Sequence, residues 1–139
     1  MKFYAVMDTN VLVAALLTKN NDAATLQVVR AVLDGTIIPL YHPDILEEYN
    51  EVLRRRKFHL QESTIRLVVN AVIQYGIEIF PQPSGEVFAD MDDLIFYEVA
   101  LEKQDEDAYL ITGNQQHYPV KKFIVTPGEM MRILRENRN

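Results

Sequence analysis

The stretch FYAVMDTNVL, at residues 3–12, decides the fold. Its first half, Phe3–Met7, is apolar or aromatic and of strand length, and a second apolar run with helical pattern covers residues 11–17. A buried strand that passes directly into a helix is typical of α/β proteins. Asp8 stands between the two runs, so we expect its side chain at the carboxyl edge of a central strand.

The same alternation of short strands and helices continues through the rest of the chain. Further runs of strand length lie at residues 36–41, 77–80, 109–112 and 123–125. Helical periodicity covers residues 11–17, 23–33, 43–56, 64–75, 92–103 and 128–136, with Gly35 and Gly76 as natural stops. This pattern predicts one domain over residues 1–139, folded as a three-layer α/β/α sandwich around a central, mainly parallel, twisted sheet of about five strands.

The composition excludes several classes of protein. The chain has no cysteine, so thiolate metal sites and cysteine nucleophiles are excluded, and any metal must be bound by oxygen or imidazole ligands. No apolar run approaches the roughly 18 residues of a membrane span, which predicts a cytoplasmic protein with no membrane partner. The net charge of -6 argues against broad, non-specific binding of nucleic acid through a basic surface.

Two acidic residues in the first half of the chain are candidates for chemistry, and each has a structural alternative. Asp8 can serve as the N-cap of the helix that follows it, a role that aspartate fills well. In the helix predicted over residues 43–56, Glu48 lies along the edge of the apolar stripe, whereas Glu47 and Glu51 point roughly the other way. Glu48 is therefore placed to reach over the rim of the sheet, unless it is a solvated charge on the helix flank.

The segment Asp90-Met91-Asp92-Asp93 opens a helix that is apolar almost all round and must be largely buried. Acidic residues in a first turn are favoured by the helix dipole, by about 0.3–1 kcal/mol each, so Asp90 or Asp92 is the expected cap. Three carboxylates within four residues exceed what capping requires. Asp93 lies on the same side of the helix as Phe96, so we expect its carboxylate to face the protein.

The three candidate residues Asp8, Glu48 and Asp93 would repel one another strongly if the fold brings their carboxylates together. At a separation of ~5 Å each pair repels by about 3 kcal/mol at an effective dielectric constant of 20, roughly 10 kcal/mol in all. An ordinary fold is stable by only about 5–15 kcal/mol. A hard divalent cation relieves the repulsion, and all-oxygen ligation suits Mg²⁺ or Mn²⁺.

The motifs and their order resemble those of the PIN-domain family over essentially the whole chain. The similarity is greatest to the VapC-like proteins, the toxin components of type II toxin-antitoxin modules. The segments that carry it are Asp8-Thr9-Asn10-Val11-Leu12 after a strand, Glu47-Glu48-Tyr49 in a helix, Asp92-Asp93 at the start of an alanine-bearing helix, and Leu110-Ile111-Thr112-Gly113-Asn114.

The resemblance implies a PIN-like sandwich that carries a metal-dependent endoribonuclease site. Its first three acidic positions match Asp8, Glu48 and Asp93, which are the implied catalytic residues and metal ligands. The fourth acidic position is taken by Asn114, a neutral ligand that lowers the expected affinity for a second ion. The small polar positions that orient the ligands match Thr9, Asn10 and Thr112, although capping and turn hydrogen bonds explain these residues equally well.

The resemblance also implies partners: an RNA substrate, an antitoxin protein that covers the acidic pocket, and a second copy of the chain in a homodimer. A cation bound by the carboxylates would activate a water for attack on an RNA phosphodiester. The run Arg54-Arg55-Arg56-Lys57, at the end of the helix that carries Glu48, supplies candidate RNA contacts. The alternative for this run is a favourable placement of cations at a helix C-terminus.

Two other functions stay open from the sequence. Asn114 favours a catalytically weakened PIN-like scaffold that binds protein or RNA. Acidic clusters beyond strand ends also occur in magnesium-dependent phosphatases and phospho-acceptor domains, but Asp8 lacks the D-x-D-x-T pattern of such enzymes.

Overall fold

A computed structural model describes residues 2–137 of the chain. The strands are β1 (Phe3–Met7), β2 (Ile37–Tyr41), β3 (Ile77–Glu78), β4 (Tyr109–Ile111) and β5 (Ile124–Val125). The α helices are α1 (Thr9–Leu17), α2 (Ala24–Leu33), α3 (Pro43–Leu53), α4 (Glu62–Tyr75), α5 (Leu94–Glu102) and α6 (Pro127–Glu136).

The five strands form one sheet in the order β3-β2-β1-β4-β5, and every neighbouring pair is parallel. Helix α5 packs on β1, β2 and β4 and contacts α3, whereas α2 packs with α4 on β2 and contacts α1 and α6. Helices therefore lie on both sides of the sheet. The predicted three-layer α/β/α sandwich with a parallel, five-stranded sheet is confirmed.

The direction in which the chain builds the sheet reverses between β1 and β4. From β1 the chain adds β2 and β3 on one side, and it later adds β4 and β5 on the other side. In parallel α/β sheets such a reversal opens a crevice at the carboxyl ends of the two strands, where ligands bind. Met7 is paired with Ile111, and the backbone N–H of Asp8 donates to the Ile111 carbonyl at 2.9 Å. Asp8 and Thr112 consequently meet at this crevice.

Helix α3 is tied to the same edge of the sheet. Tyr49 is fully buried, and its hydroxyl donates to the carbonyl of Met7, the last residue of β1. The Tyr49 ring also contacts Phe96 of α5, with the ring centroids 6.3 Å apart. This bond fixes the register of α3 against β1, and it thereby determines where Glu48 lies.

Several predicted boundaries were wrong. Helix α3 ends at Leu53 rather than at residue 56, because Arg54 leaves the helical conformation (φ -92°, ψ 6°) and a short 3₁₀ turn follows over Arg56–Phe58. Helix α5 begins at Leu94, two residues later than predicted, after a 3₁₀ turn over Met91–Asp93 that the Asp90 side chain caps. The other helices and the strands begin and end within two residues of the predicted positions.

Gly76 ends α4 as predicted, and steric crowding gives the reason. A Cβ atom at this position would lie 2.3 Å from the Val72 carbonyl oxygen and 2.4 Å from that of Pro39. Only glycine lets the end of α4 approach β2 this closely. Over residues 2–137, no helix is both long and apolar enough to cross a membrane.

Candidate active site

Asp8 lies at the bottom of the crevice, with 4% of its surface exposed. Its Oδ2 accepts hydrogen bonds from the Thr112 hydroxyl at 2.8 Å and from the Tyr118 hydroxyl at 3.2 Å. Its Oδ1 accepts only a long one, from the backbone N–H of Asn10 at 3.5 Å. Asp8 therefore caps α1 weakly, while its stronger hydrogen bonds come from two hydroxyl groups.

Glu48 is half-buried on α3, whereas Glu47 and Glu51 are exposed, as the helix periodicity predicted. The Thr9 hydroxyl donates to its Oε2. Burial raises the pKa of Glu48, the Thr9 hydrogen bond opposes this shift, and the charges of Asp8, Asp92 and Asp93 raise the pKa further. The solvated-flank alternative for Glu48 does not describe this environment.

Asp93 has a side chain that is 16% exposed, and its Oδ2 lies 3.4 Å from Nδ1 of His117. Burial is the main cause that raises the pKa of Asp93 to about 6, and the charges of Asp8 and Asp90 add to it. The charge and hydrogen bond of His117 act in the opposite direction. As predicted, the carboxylate of Asp93 faces the protein.

The three carboxylates share one electrostatic environment, since the charge of Asp8 raises the pKa of both Glu48 and Asp93. In the described part of the chain, no lysine or arginine forms an ion pair with any of the three. The repulsion considered from the sequence is therefore not neutralised by permanent cationic side chains.

The donor set has the chemistry that Mg²⁺ and Mn²⁺ prefer, because it consists of carboxylate oxygens with hydroxyl groups nearby. Among residues 2–137, however, no three or more Asp, Glu, His or Cys side chains stand close enough to hold a metal ion as they are placed. Each carboxylate instead has its own hydrogen-bond or ion-pair partner. The site thus fits a hard cation by ligand type, without a preformed cage.

The polar residues near the carboxylates differ in burial and in whether their side chain or their backbone donates the hydrogen bond. Thr9 and Thr112 are buried and donate from their hydroxyls to Glu48 and Asp8. Asn10 is exposed and reaches Asp8 through its backbone N–H. Asn114 is half-buried, and its backbone N–H donates to the Thr112 hydroxyl at 3.0 Å. Thr112 therefore connects Asn114 to Asp8.

Sequence reasoning missed His117 and Tyr118, which contact Asp93 and Asp8. Neither residue was singled out from the sequence. After the carboxyl end of β4 the chain forms one short 3₁₀ turn, Gln115–His117; His117 is its last residue and Tyr118 follows it directly. Their closeness in sequence to Thr112 is the signal that could have identified them as site residues, because only a few residues separate Thr112 from Tyr118.

The basic run is largely engaged in ion pairs on the surface. Arg54 binds Glu62, with nitrogen-to-oxygen distances of 2.9 and 2.7 Å, and Arg55 binds Glu51 at 3.1 Å. Arg56 and Lys57 are exposed, and Lys57 Nζ lies 5.2 Å from the centre of the Phe58 ring. The predicted contacts of these residues with RNA stay a prediction.

A groove of about 400 Å³ adjoins the site between α3 and the start of α5. Glu48 forms part of its wall, so the groove borders the site at that residue. Its lining residues are Asp44, Glu47, Glu48, Glu51, Val52, Arg55, Met91, Asp92 and Ile95. The lining is strongly acidic, and its one arginine is already paired with Glu51.

The fold and this edge define a class: parallel α/β/α proteins with a carboxylate-rich crevice where the sheet order reverses. A PIN domain family model matches residues 4–116, and the chain belongs to the PIN domain family. Over 118 residues the chain is 28% identical to the uncharacterized protein MJ1680 of Methanocaldococcus jannaschii. The aligned region covers 83% of this chain and 73% of that protein. PIN domains are in general nucleases that use divalent metal ions and act on nucleic acid.

Proposed function

We propose that this PIN domain is a Mg²⁺- or Mn²⁺-dependent endoribonuclease with Asp8, Glu48 and Asp93 as its catalytic residues and metal ligands. One observation carries the proposal: at the switch point of the sheet the charge of Asp8 raises the pKa of both Glu48 and Asp93, and among residues 2–137 no lysine or arginine forms an ion pair with any of the three. Such an arrangement costs stability, and a bound cation supplies the compensating charge.

The chain's own residues would hold and orient the reacting groups. When bound, the cation would polarise the phosphodiester and lower the pKa of a water molecule. Thr9 holds Glu48, and Thr112 holds Asp8, so two of the three carboxylates are oriented by buried hydroxyls. Asn114, whose backbone N–H donates to Thr112, would offer a neutral amide oxygen as a fourth ligand, which favours one bound ion over two.

We further propose that RNA reaches the site with the help of local positive charge. The acidic groove between α3 and α5 repels phosphates. Arg54 and Arg55 would have to exchange their carboxylate partners for phosphates, whereas Arg56 and Lys57 are already exposed. Binding through so few cations would be moderately dependent on salt.

The role of toxin in a toxin-antitoxin pair, and the homodimer, are proposals from the family resemblance. A neighbouring gene for a small protein that binds this chain and blocks RNA cleavage would support the toxin role. A monomeric mass by light scattering at working concentration would reject the homodimer.

The decisive experiment compares RNA cleavage by the wild type, Asp8→Asn and Asp93→Asn with Mg²⁺, with Mn²⁺ and with EDTA. Asp105→Asn is the matched control, because Asp105 is exposed on a distant 3₁₀ turn. We expect cleavage by the wild type and the control only, and only with metal. Equal cleavage by all four proteins would identify a contaminating nuclease. Binding of RNA and metal without cleavage would favour the weakened scaffold.

A further inference from the structure

Tyr118 is a buried tyrosine that touches the carboxylate of Asp8 from a segment beyond the region matched by the family model. Only 6% of its surface is exposed, and its hydroxyl donates to Asp8 Oδ2 at 3.2 Å. The Thr112 hydroxyl donates to the same oxygen at 2.8 Å. A carboxylate oxygen has two lone pairs, so these two donors occupy Oδ2.

Within residues 2–137, the other oxygen of Asp8 is left nearly free. Its one hydrogen bond, from the Asn10 backbone N–H at 3.5 Å, is at the limit of a real interaction. The two oxygens of one carboxylate are therefore unequal: Oδ2 is committed to hydroxyl groups, and Oδ1 is available to a ligand.

The position of the Tyr118 hydroxyl is fixed by packing. Its ring stands edge-on to Phe88, with the centroids 5.8 Å apart and the planes at 81°. Phe88 in turn packs on Tyr97 at 5.4 Å. The Tyr118 backbone N–H donates to the Gln115 carbonyl at 3.0 Å and closes the 3₁₀ turn.

We propose that Tyr118 is a positioning residue that, with Thr112, holds Asp8 Oδ2 and so leaves Oδ1 as the single ligand oxygen that Asp8 offers to a divalent cation. This proposal rests on the proposed metal-dependent nuclease. The alternative is that Tyr118 only fills the core. In that case loss of its hydroxyl would change stability and leave metal affinity as it is.

The test is a calorimetric titration of metal-free protein with Mn²⁺, without RNA, on the wild type, Tyr118→Phe and Tyr97→Phe. Tyr97→Phe is the matched control, because Tyr97 is buried in the same aromatic cluster and donates at 3.3 Å to Glu86 instead of to Asp8. We expect Tyr118→Phe to weaken Mn²⁺ binding roughly tenfold, the size typical of a lost outer hydrogen bond to a metal ligand. Tyr97→Phe should bind as the wild type does.

The outcomes separate this proposal from the proposed function. If the wild type binds no Mn²⁺, both fail. If the wild type binds Mn²⁺ and Tyr118→Phe binds equally well, the positioning role is overturned and the metal site stands. Equal weakening by the two Tyr→Phe variants would also overturn it, because a general effect on packing would then suffice.

A second pair of variants tests the same oxygen should Tyr118→Phe not fold. Thr112→Val removes the other donor to Oδ2, and Thr112→Ser keeps a hydroxyl there. We expect Thr112→Val to weaken Mn²⁺ binding and Thr112→Ser to restore it. Unchanged affinity in Thr112→Val would contradict the claim that hydroxyl donors to Oδ2 position Asp8.

Discussion

Asp93 is an acidic side chain with little solvent around it, and no lysine or arginine within residues 2–137 forms an ion pair with it. Its raised pKa, about 6, means that the fold favours the protonated form. The stability that this group contributes is fully present below its unfolded pKa of about 3.8, and it is lost as the pH rises through 6. Without metal, the protein should therefore become less stable between pH 4 and 6.

Asp93→Asn should stabilise the metal-free protein at pH 7.5 by about 2 kcal/mol, because it removes the buried charge. At pH 4 the difference should nearly vanish, since Asp93 is then protonated. The measurement is chemical unfolding in EDTA at both pH values, with Asp105→Asn as the exposed control. Equal stability of variant and wild type at pH 7.5 would show that solvent or His117 already compensates the charge.

Asn114 is the position at which adding a negative charge to the site can be tested. Asn114→Asp should bind Mn²⁺ more tightly, by a factor on the order of ten, because a carboxylate replaces a neutral ligand. The same change should lower the free energy of unfolding in EDTA at neutral pH. Asn70→Asp, on the exposed side of α4, is the control for a general effect of added charge. Weaker metal binding by Asn114→Asp would place residue 114 outside the metal site.

At the scale of elements, much of the fold was predictable, and the reasons are local. The strands and helices were found because their apolar periodicity depends only on neighbouring residues, and Asp8 was placed because it follows β1 directly. The end of α3 was missed because the charged run after Leu53 is compatible with a continued helix, whereas Arg54 is the C-cap and pairs with Glu62 of the next helix. The contacts of His117 and Tyr118 with the site depend on the pairing of β4 with β1, which periodicity does not reveal.

The hydrogen bond from Tyr49 to the Met7 carbonyl joins two elements, α3 and β1. Tyr49→Phe should destabilise the protein by about 1–3 kcal/mol, because the change leaves a buried carbonyl without this donor. Tyr75→Phe, at the exposed end of α4, should change stability little. Both are measured by thermal or chemical unfolding. If Tyr49→Phe proved as stable as the wild type, the bond would not fix α3 against the sheet.

At the scale of the whole molecule, an acidic protein carries three carboxylates in the crevice at the carboxyl edge of its parallel sheet. Helices on both faces bury the strands, so the repulsion in the crevice acts against a substantial core. A ligand that binds the folded state alone should therefore raise the stability of the entire chain.

Mn²⁺ at about one hundred times its dissociation constant should stabilise the fold by about 2.7 kcal/mol, which corresponds to a rise in Tm of several degrees. Differential scanning fluorimetry with Mn²⁺ and then with excess EDTA measures the shift and its reversal. Asp8→Asn should lose the shift, and Asp105→Asn should keep it. An equal shift in Asp8→Asn would indicate that the ion binds elsewhere on the acidic surface.

The crevice joins segments that are far apart in the chain, since Asp8 lies 104 residues before Thr112 and 110 residues before Tyr118. During translation, β1 and Asp8 leave the ribosome long before β4 and the turn that follows it. A nascent chain therefore carries its first carboxylate without the hydroxyls that hold it. The complete crevice, with its carboxylates and the hydroxyls that hold them, can therefore form only after almost all of this chain has emerged.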